Sequence, residues 1–382
     1  MPYPGANPSG PELGFAPLAA VQAAADRVPV AVGDGDQGSS RYVVEVSPGV
    51  VRLSVRGSKV VGQSERQPAQ MASRGQVSAW SARSRNRMIV TLATLDWSPV
   101  LASPSTRPAM VTLTYPGDWR AVCPDGRVAK RHLDAFRRQW VRDFEENPGR
   151  EDAPSLAVHV PFAGVWKLEH QARGAPHFHL YLPCPLGAVA VRRGRGRSAR
   201  WTSLRFTEWL SETWASIVKA EGDEYRRHLV AGTGLDFGKG VEGSDPKRLA
   251  IYFSRHNAKG KSKAYQHELP DEWPFHGRWW GVWGLRAASA EVSVDRDDFI
   301  EARRILRRWV RAQGRVYERR VPRTDTATGE VRRRKVTRRY EVRALAHGRA
   351  AGGFVLANDG PGLAAALGKW LTLLHLDDSE AA

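Results

Sequence analysis

Two histidines separated by one residue, His177 and His179, form the pattern in this sequence most typical of metal chemistry. In a β-strand, residues i and i+2 point to the same face, so both imidazoles can bind one metal ion. Glu169 lies on the preceding predicted strand and can reach that face as a third ligand. Such a set suits a divalent ion, Mn²⁺ or Mg²⁺, that keeps positions open for a phosphate. Two alternatives stay open: ordinary surface or core histidines, or a register shifted by one that brings in His170.

A tyrosine with basic neighbours is the second group that can do chemistry. Tyr252 precedes Arg255, His256 and Lys259 by three, four and seven residues, so a helix brings all four to one face. Its phenol has a reference pKa of about 10, and nearby cations favour the nucleophilic phenolate and neutralise phosphate charge. The alternative is a tyrosine that packs as an ordinary residue of an amphipathic helix.

Two further residues are secondary candidates in the same region. Tyr265 follows Tyr252 by thirteen residues, with Gly260 interrupting the predicted helix, and is considered as a second nucleophile. Glu268 is considered as a base that activates water in a terminating step. The Gly260-Lys261-Ser262 stretch lacks the first glycine of a Walker A loop, so no ATPase is expected.

The residue pattern around these groups predicts an α+β fold, a central antiparallel sheet with flanking helices and a basic C-terminal extension. Alternating β-branched residues indicate strands, and apolar residues three and four apart indicate helices. The predicted elements are a strand at 110–115, a helix at 130–145, strands at 162–169 and 178–182 joined by a turn at 173–176, an Arg/Gly loop at 190–200, a helix at 203–219 and a helix from Asp245 onward.

The charge balance favours a polyanionic partner. Lys and Arg number 58 against 40 for Asp and Glu, which gives a formal net charge of +18. The alternative is a soluble protein with an arginine-rich surface. No apolar run approaches the ~20 residues that span a bilayer, and no secretory signal is recognisable. Two lone cysteines, Cys123 and Cys184, favour a reducing compartment. We therefore expect a cytoplasmic protein with no membrane partner.

The chain divides into three predicted regions. Residues 1–75 are read as a flexible leader with a possible hairpin at 41–63, residues 76–290 as the domain that carries the chemistry, and residues 291–382 as a basic DNA-binding or accessory region. Two local features have an open interpretation in this division.

The first open feature is the basic segment 303–343, which contains sixteen Lys or Arg residues and four acidic ones. It can form a strand pair, and Arg332, Arg333 and Arg334 are predicted to bind duplex DNA through phosphates. Its alternative is a solvated, partly disordered tail. The second is Trp279, Trp280 and Trp283, which either stack on DNA bases or pack in the core.

Three segments together resemble the motifs of the HUH endonuclease superfamily, specifically rolling-circle replication initiators of bacterial plasmids and phages. VTLTYP at 111–116 resembles the first motif, EHQARGAPHFH at 169–179 the second, and AIYFSRHNAK at 250–259 the third. The resemblance covers roughly residues 80–285. It implies an antiparallel sheet with the histidines on a central strand and the tyrosine on a nearby helix.

The resemblance also implies residue roles. His177 and His179 become metal ligands, Glu169 the third ligand, and Tyr252 the nucleophile. The reaction implied is nicking of single-stranded origin DNA, which leaves a 5′-phosphotyrosine and a free 3′-OH. A host helicase and polymerase would act in trans.

One basic residue of these motifs differs from the pattern that is usual in the family. The family usually has lysine three residues after the tyrosine, where this chain has Arg255. Arginine clamps phosphate but does not donate a proton in practice, so Lys259 or His256 is the candidate for that step. Contacts to DNA are expected from Arg173, Arg255 and Lys259.

Several other functions remain possible at this point. A relaxase or an HUH transposase has the same chemistry, and a tyrosine that follows the histidines favours an initiator or a transposase. A non-catalytic origin-binding protein would bind DNA without forming an adduct. An RNA-binding protein, suggested only by charge and aromatic content, would show no metal dependence.

Overall fold

The computed structural model describes two compact units. The first unit contains the described residues between 80 and 288, and the second joins residues 18–56 to the described residues from 289 onward. The described residues are 18–28, 41–56, 80–101, 104–194, 196–238, 266, 268–270, 273–312, 315–325, 328–340, 353–356 and 360–380.

Helices and strands are numbered along the chain. The helices are α1 (Leu18–Ala25), α2 (Ala82–Thr94), α3 (Ser98–Leu101), α4 (Trp119–Val122), α5 (Gly126–Trp140), α6 (Phe206–Ile217), α7 (Gly222–Ala231), α8 (Arg296–Ala312) and α9 (Gly360–Glu380). The strands are β1 (Arg41–Ser47), β2 (Val50–Arg56), β3 (Thr106–Thr114), β4 (Gly164–His170), β5 (Pro176–Pro185), β6 (Ala188–Arg193), β7 (Arg200–Arg205), β8 (Thr233–Asp236), β9 (Trp280–Trp283), β10 (Ala290–Val294), β11 (Arg315–Thr324), β12 (Val331–Tyr340) and β13 (Gly353–Leu356). None of the helices in the described part of the chain has the length and apolar character that crossing a bilayer requires.

Five antiparallel strands form the central sheet of the first unit, in the order β8–β3–β5–β4–β9. Alternate residues of its three middle strands are fully buried on one face, among them Val111, Leu168 and Phe178. They share one core with α5 and α6, where the rings of Phe136 and Trp209 pack 5.9 Å apart. The opposite face of the same strands is therefore available for polar side chains.

Helix α5 has a clear start signal in the sequence. The carboxylate of Asp125 accepts a hydrogen bond from the backbone N–H of Val128 at 2.7 Å, which caps the first turn. Leu133, Phe136 and Trp140 follow at spacings of three and four and are buried. The helix predicted at 130–145 thus begins four residues earlier, and it continues as a π-helical segment over Val141–Glu146.

The structure confirms the α+β class with antiparallel sheets and helices, and it corrects one prediction. Within residues 190–200, expected to be a loop, residues 190–193 and Arg200 belong to the antiparallel pair β6–β7. Val189 and Val191 of β6 are buried, but the arginine- and glycine-rich composition obscures their alternation. Helices α2 and α7 were not predicted, and the helix expected from Asp245 lies outside the described residues.

The second unit has its own sheet and its own core. Its strands run in the antiparallel order β10–β1–β2–β13. Val44, Leu53 and Val292 of the sheet share a buried cluster with Phe299 of α8 and Leu367 of α9. Phe299 lies on the buried side of α8, and the arginines of this helix whose exposure is described lie on its exposed side.

The chain segments that build the second unit come from both ends of the sequence. The hairpin predicted at 41–63 is present as β1–β2, and residue Val44 pairs with Val292 of β10. Helix α1 lies within the segment expected to lack order, and it buries Val21 and Ala25 in the same core. Pairing over such a distance in sequence leaves no local pattern, and composition alone therefore suggested a separate leader.

Candidate functional site

The register of the central sheet brings Glu169, His177 and His179 to one face. Glu169 is paired directly with His177 across β4 and β5, and Lys167 with His179. Paired residues share a face, as do residues two apart, so all four side chains lie together. Oε2 of Glu169 lies 3.5 Å from Nε2 of His179, and the rings of His177 and His179 are 4.5 Å apart between centroids.

Two threonines of β3 hold the histidine rings. Oγ1 of Thr114 lies 3.1 Å from Nδ1 of His177, and Oγ1 of Thr112 lies 3.3 Å from Nδ1 of His179. The ladder pairs each threonine with its histidine, because β3 is the neighbour of β5. When Nδ1–H donates to the hydroxyl, the lone pair of Nε2 is left for a metal ion. By itself, the alternation in this segment predicts only a strand, although a Thr-x-Thr pattern facing His-x-His was the available signal.

A buried lysine is the other residue that sequence reasoning missed. Nζ of Lys167 donates to Oε1 of Glu169 at 2.5 Å, and both residues are almost wholly buried. Burial by itself raises the pKa of the Glu169 carboxyl, but the hydrogen bond with His179 and the charge of Lys167 hold that pKa well below its usual range. Glu169 is therefore a carboxylate at neutral pH.

Two of the candidate donor atoms have a spacing compatible with one divalent cation. The 3.5 Å between Oε2 of Glu169 and Nε2 of His179 matches the roughly 3 to 3.5 Å expected between two atoms that bind one ion at ~2.1 Å. Oε1 of Glu169 can keep its bond to Lys167 while Oε2 binds the ion. Among the described residues, no three His, Cys, Asp or Glu side chains are already gathered as a metal site.

His170 does not belong to this face. The register pairs Glu169, not His170, with His177, so the one-residue shift considered as an alternative is wrong. Nδ1 of His170 instead lies 3.2 Å from the carbonyl oxygen of Gly174, and its ring packs against Trp273. Burial, the largest cause, lowers the pKa of His170 to about 4, so the ring is neutral at pH 7.

Arg173 lies in the turn between β4 and β5 and is engaged with the protein itself. Its guanidinium donates to the carbonyl oxygens of Tyr115, Pro116 and Gly117 at 2.6 to 2.8 Å. These bonds tie the turn that precedes the histidines to the loop that follows the threonine strand. Contact of Arg173 with DNA stays a prediction.

Some of the remaining predicted site residues lie within the described part of the chain, and the others lie outside it. Glu268 is described and is exposed. The residues that lie outside the described part of the chain are Tyr252, Arg255, His256, Lys259 and Tyr265. Their roles therefore depend on the sequence resemblance alone. Arg332, Arg333 and Arg334 lie on β12, in the second unit.

The tryptophans at the edge of the central sheet divide between the two interpretations. Trp279 is buried, with its ring 3.9 Å from that of His276, which supports core packing. Trp280 and Trp283 belong to the edge strand β9 and are half-buried. The ring of Trp283 lies 4.8 Å from that of Phe162, so part of it also packs in the core.

Comparison of the chain with protein-family models, with curated proteins and with solved structures found no match.

Proposed function

We propose that this protein is a metal-dependent endonuclease that nicks single-stranded origin DNA and starts rolling-circle replication in the host cytoplasm. The observation that carries the proposal is the common sheet face of Glu169, His177 and His179, with each imidazole held through Nδ1 by a threonine hydroxyl. Metal-binding histidines usually have their second ring nitrogen held in this way. The three motif-like segments supply the proposed substrate and nucleophile.

Each residue of the site has a distinct task. Oε2 of Glu169 and the Nε2 atoms of His177 and His179 would hold Mn²⁺ or Mg²⁺, and such an ion supplies positive charge that favours attack at a phosphate. Lys167 keeps the Glu169 carboxylate ionised and fixed in orientation. The threonines hold both rings through Nδ1, which would leave Nε2 to bind the ion.

Tyr252 is the proposed nucleophile. Its oxygen forms a bond to the scissile phosphorus, the bond from phosphorus to the 3′ oxygen breaks, and the phenolic proton passes to solvent. The 3′ oxygen leaves as a hydroxyl after it takes a proton, for which Lys259 or His256 is the donor. Arg255 neutralises phosphate charge. The 5′-phosphotyrosine conserves the ester bond, so a later attack by a 3′-OH rejoins the strand, while a host helicase and polymerase act in between.

A non-catalytic DNA-binding protein is the second candidate. The Lys167–Glu169 ion pair favours it, because a buried carboxylate with a cation beside it can have a purely structural role. Such a protein would bind origin DNA without metal and would never become covalently attached to it.

A covalent-adduct experiment tests the proposal. Purified protein is incubated with single-stranded oligonucleotides that tile both strands beside its own gene, with Mn²⁺ or with EDTA. We expect a protein band heavier by the attached oligonucleotide, lost with EDTA, lost in Tyr252→Phe and retained in the matched control Tyr265→Phe. An adduct that still forms in Tyr252→Phe would show that another residue is the nucleophile. Binding without an adduct on any strand favours the second candidate.

A further inference from the structure

Strands β11 and β12 form a two-stranded ribbon in the second unit. Each strand has ten residues, and the two pair only with each other among the strands that the structure describes. Its turn is closed by backbone hydrogen bonds between Asp325 and both Gly329 and Glu330. At about 3.3 Å per residue the ribbon is roughly 33 Å long. Two-stranded ribbons are only marginally stable alone, so a partner that covers this one would stabilise it.

Basic residues are distributed unequally over the two faces of the ribbon. The two strands carry ten Lys or Arg residues and one acidic residue, Glu318. The register assigns six arginines and no acidic residue to one face, here called the arginine face, and four basic residues and Glu318 to the other. The basic residues of the arginine face are Arg315, Arg319, Arg323, Arg332, Arg334 and Arg338.

The arginines of the ribbon alternate between its strands. Along the arginine face, the first four cross-strand pairs take their basic residue alternately from β11 and from β12. The last pair has a basic residue on each strand. Neighbouring cross-strand pairs on one face are about 6.8 Å apart, so the arginines place positive charge on both strands along the whole length of the ribbon. Helix α8 ends two residues before the ribbon begins and adds the exposed Arg303, Arg304, Arg307 and Arg308.

We propose that this ribbon binds in the major groove of B-form duplex DNA with its arginine face toward the DNA. The groove is about 12 Å wide and admits a two-stranded ribbon, and arginine contacts both phosphates and the major-groove edge of guanine. The major groove of duplex RNA is too deep and narrow for such entry. Single strands are bound mainly on aromatic platforms, whereas only two of these twenty ribbon residues are aromatic.

The duplex site is separate from the proposed nicking reaction and does not rest on it. Nicking would act on a single strand at the first unit, whereas this ribbon belongs to the second. Duplex binding is measured directly, so an absent nicking activity would leave this proposal untouched.

Two charge-matched variants of the full chain test the proposal. The first carries R319Q, R323Q and R334Q, and the control carries R320Q, K335Q and R339Q on the opposite face. With a 30-base-pair duplex near 150 mM salt, we expect the first variant to bind at least tenfold more weakly and the control less than threefold more weakly. Because each lost phosphate contact lowers the salt slope by about 0.9, the slope of log K against log salt should fall by about 2 to 3 in the first variant.

Equal losses in both variants, or no loss in either, would overturn the proposal. Circular dichroism and thermal melting establish that both variants are folded. Two further measurements test the partner and the groove. We expect displacement by methyl green, which binds the major groove, and weaker binding to duplex RNA of the same sequence. Displacement by netropsin alone, equal binding to duplex RNA, or binding to phosphatidylserine vesicles with none to DNA would each contradict it.

Discussion

At the residue scale, the site depends on two hydroxyl groups as well as on its charged side chains. An imidazole on a strand can rotate about its side-chain bonds, and it can carry its proton on either ring nitrogen. The hydrogen bonds between Thr114 and His177 and between Thr112 and His179 restrict the rotation of both rings. Ordering of this kind lowers the cost of bringing two imidazoles to one ion.

Removal of either hydroxyl should therefore weaken metal binding. In Thr112→Val and Thr114→Val the side chain keeps its size but loses the bond to Nδ1, and Mn²⁺ affinity is expected to fall about 10- to 100-fold. Serine at the same positions should retain most of the affinity, and Thr106→Val, at the far end of β3, should have no effect. Calorimetric titration with Mn²⁺ measures this directly. Valine variants that bind Mn²⁺ as tightly as the parent would contradict the role.

The buried ion pair makes a second residue-scale prediction. Glu169→Gln leaves the ammonium of Lys167 buried without its counter-charge, so the free energy of unfolding should fall by about 3 to 5 kcal/mol at pH 7. The folded-state pKa of Glu169 lies well below the unfolded value of about 4.3, so this stabilisation is complete above that pH and is lost progressively as the pH falls from there toward the folded-state pKa.

Urea unfolding in EDTA between pH 3 and pH 7 tests both statements. The free energy of unfolding of the parent should fall toward that of Glu169→Gln as the pH drops below about 4. Parallel curves across this range would show that the carboxylate contributes no pH-dependent stability.

At the element scale, the turn between β4 and β5 sets the register that the site needs. Gly174 adopts a positive φ of 79°, and a Cβ there would lie 3.4 Å from both Trp119 and Pro270. Arg173, beside it, bonds the carbonyls that follow β3. The turn thus connects all three strands that carry the site.

Gly174→Ala should lower the free energy of unfolding by about 1 to 2 kcal/mol, because an L-residue is strained at positive φ. Gly149→Ala is the matched control, since a Cβ at Gly149 meets no atom within 4 Å. Thermal melting of both variants measures the difference. Equal melting temperatures for the two variants would contradict the expected strain.

The sequence predicted the parts of the site that depend on local pattern. Two-residue periodicity and a short turn sufficed to align Glu169 with His177. The threonine contacts required the register between β3 and β5, which lie about 65 residues apart and are paired only in the folded chain. Lys167 was missed because a lysine in a strand reads as a solvated residue, and its burial depends on its neighbours.

At the scale of the whole molecule, two separate cores predict two unfolding events. Each unit buries its own apolar cluster, so calorimetry should resolve two transitions. Mn²⁺ should raise only the unfolding temperature of the first unit, because a ligand stabilises the fold that binds it. Phe299→Ala should lower only the free energy of unfolding of the second unit, by about 3 to 5 kcal/mol. Phe299 is buried, and the centroid of its ring lies 5.0 Å from that of Tyr42. One transition that shifts in both experiments would contradict this independence.

The composition of the second unit from two distant segments has a consequence for synthesis on the ribosome. Strand β1 ends at Ser47, and its partner β10 begins at Ala290, so the hairpin emerges roughly 240 residues before its neighbour. At 5 to 20 residues per second this delay is on the order of 10 to 50 seconds. The strands of the first unit emerge during that interval while the edge of β1 is still open to pairing. Nascent chains would thus complete the strands of the first unit before β11 and β12 of the ribbon emerge.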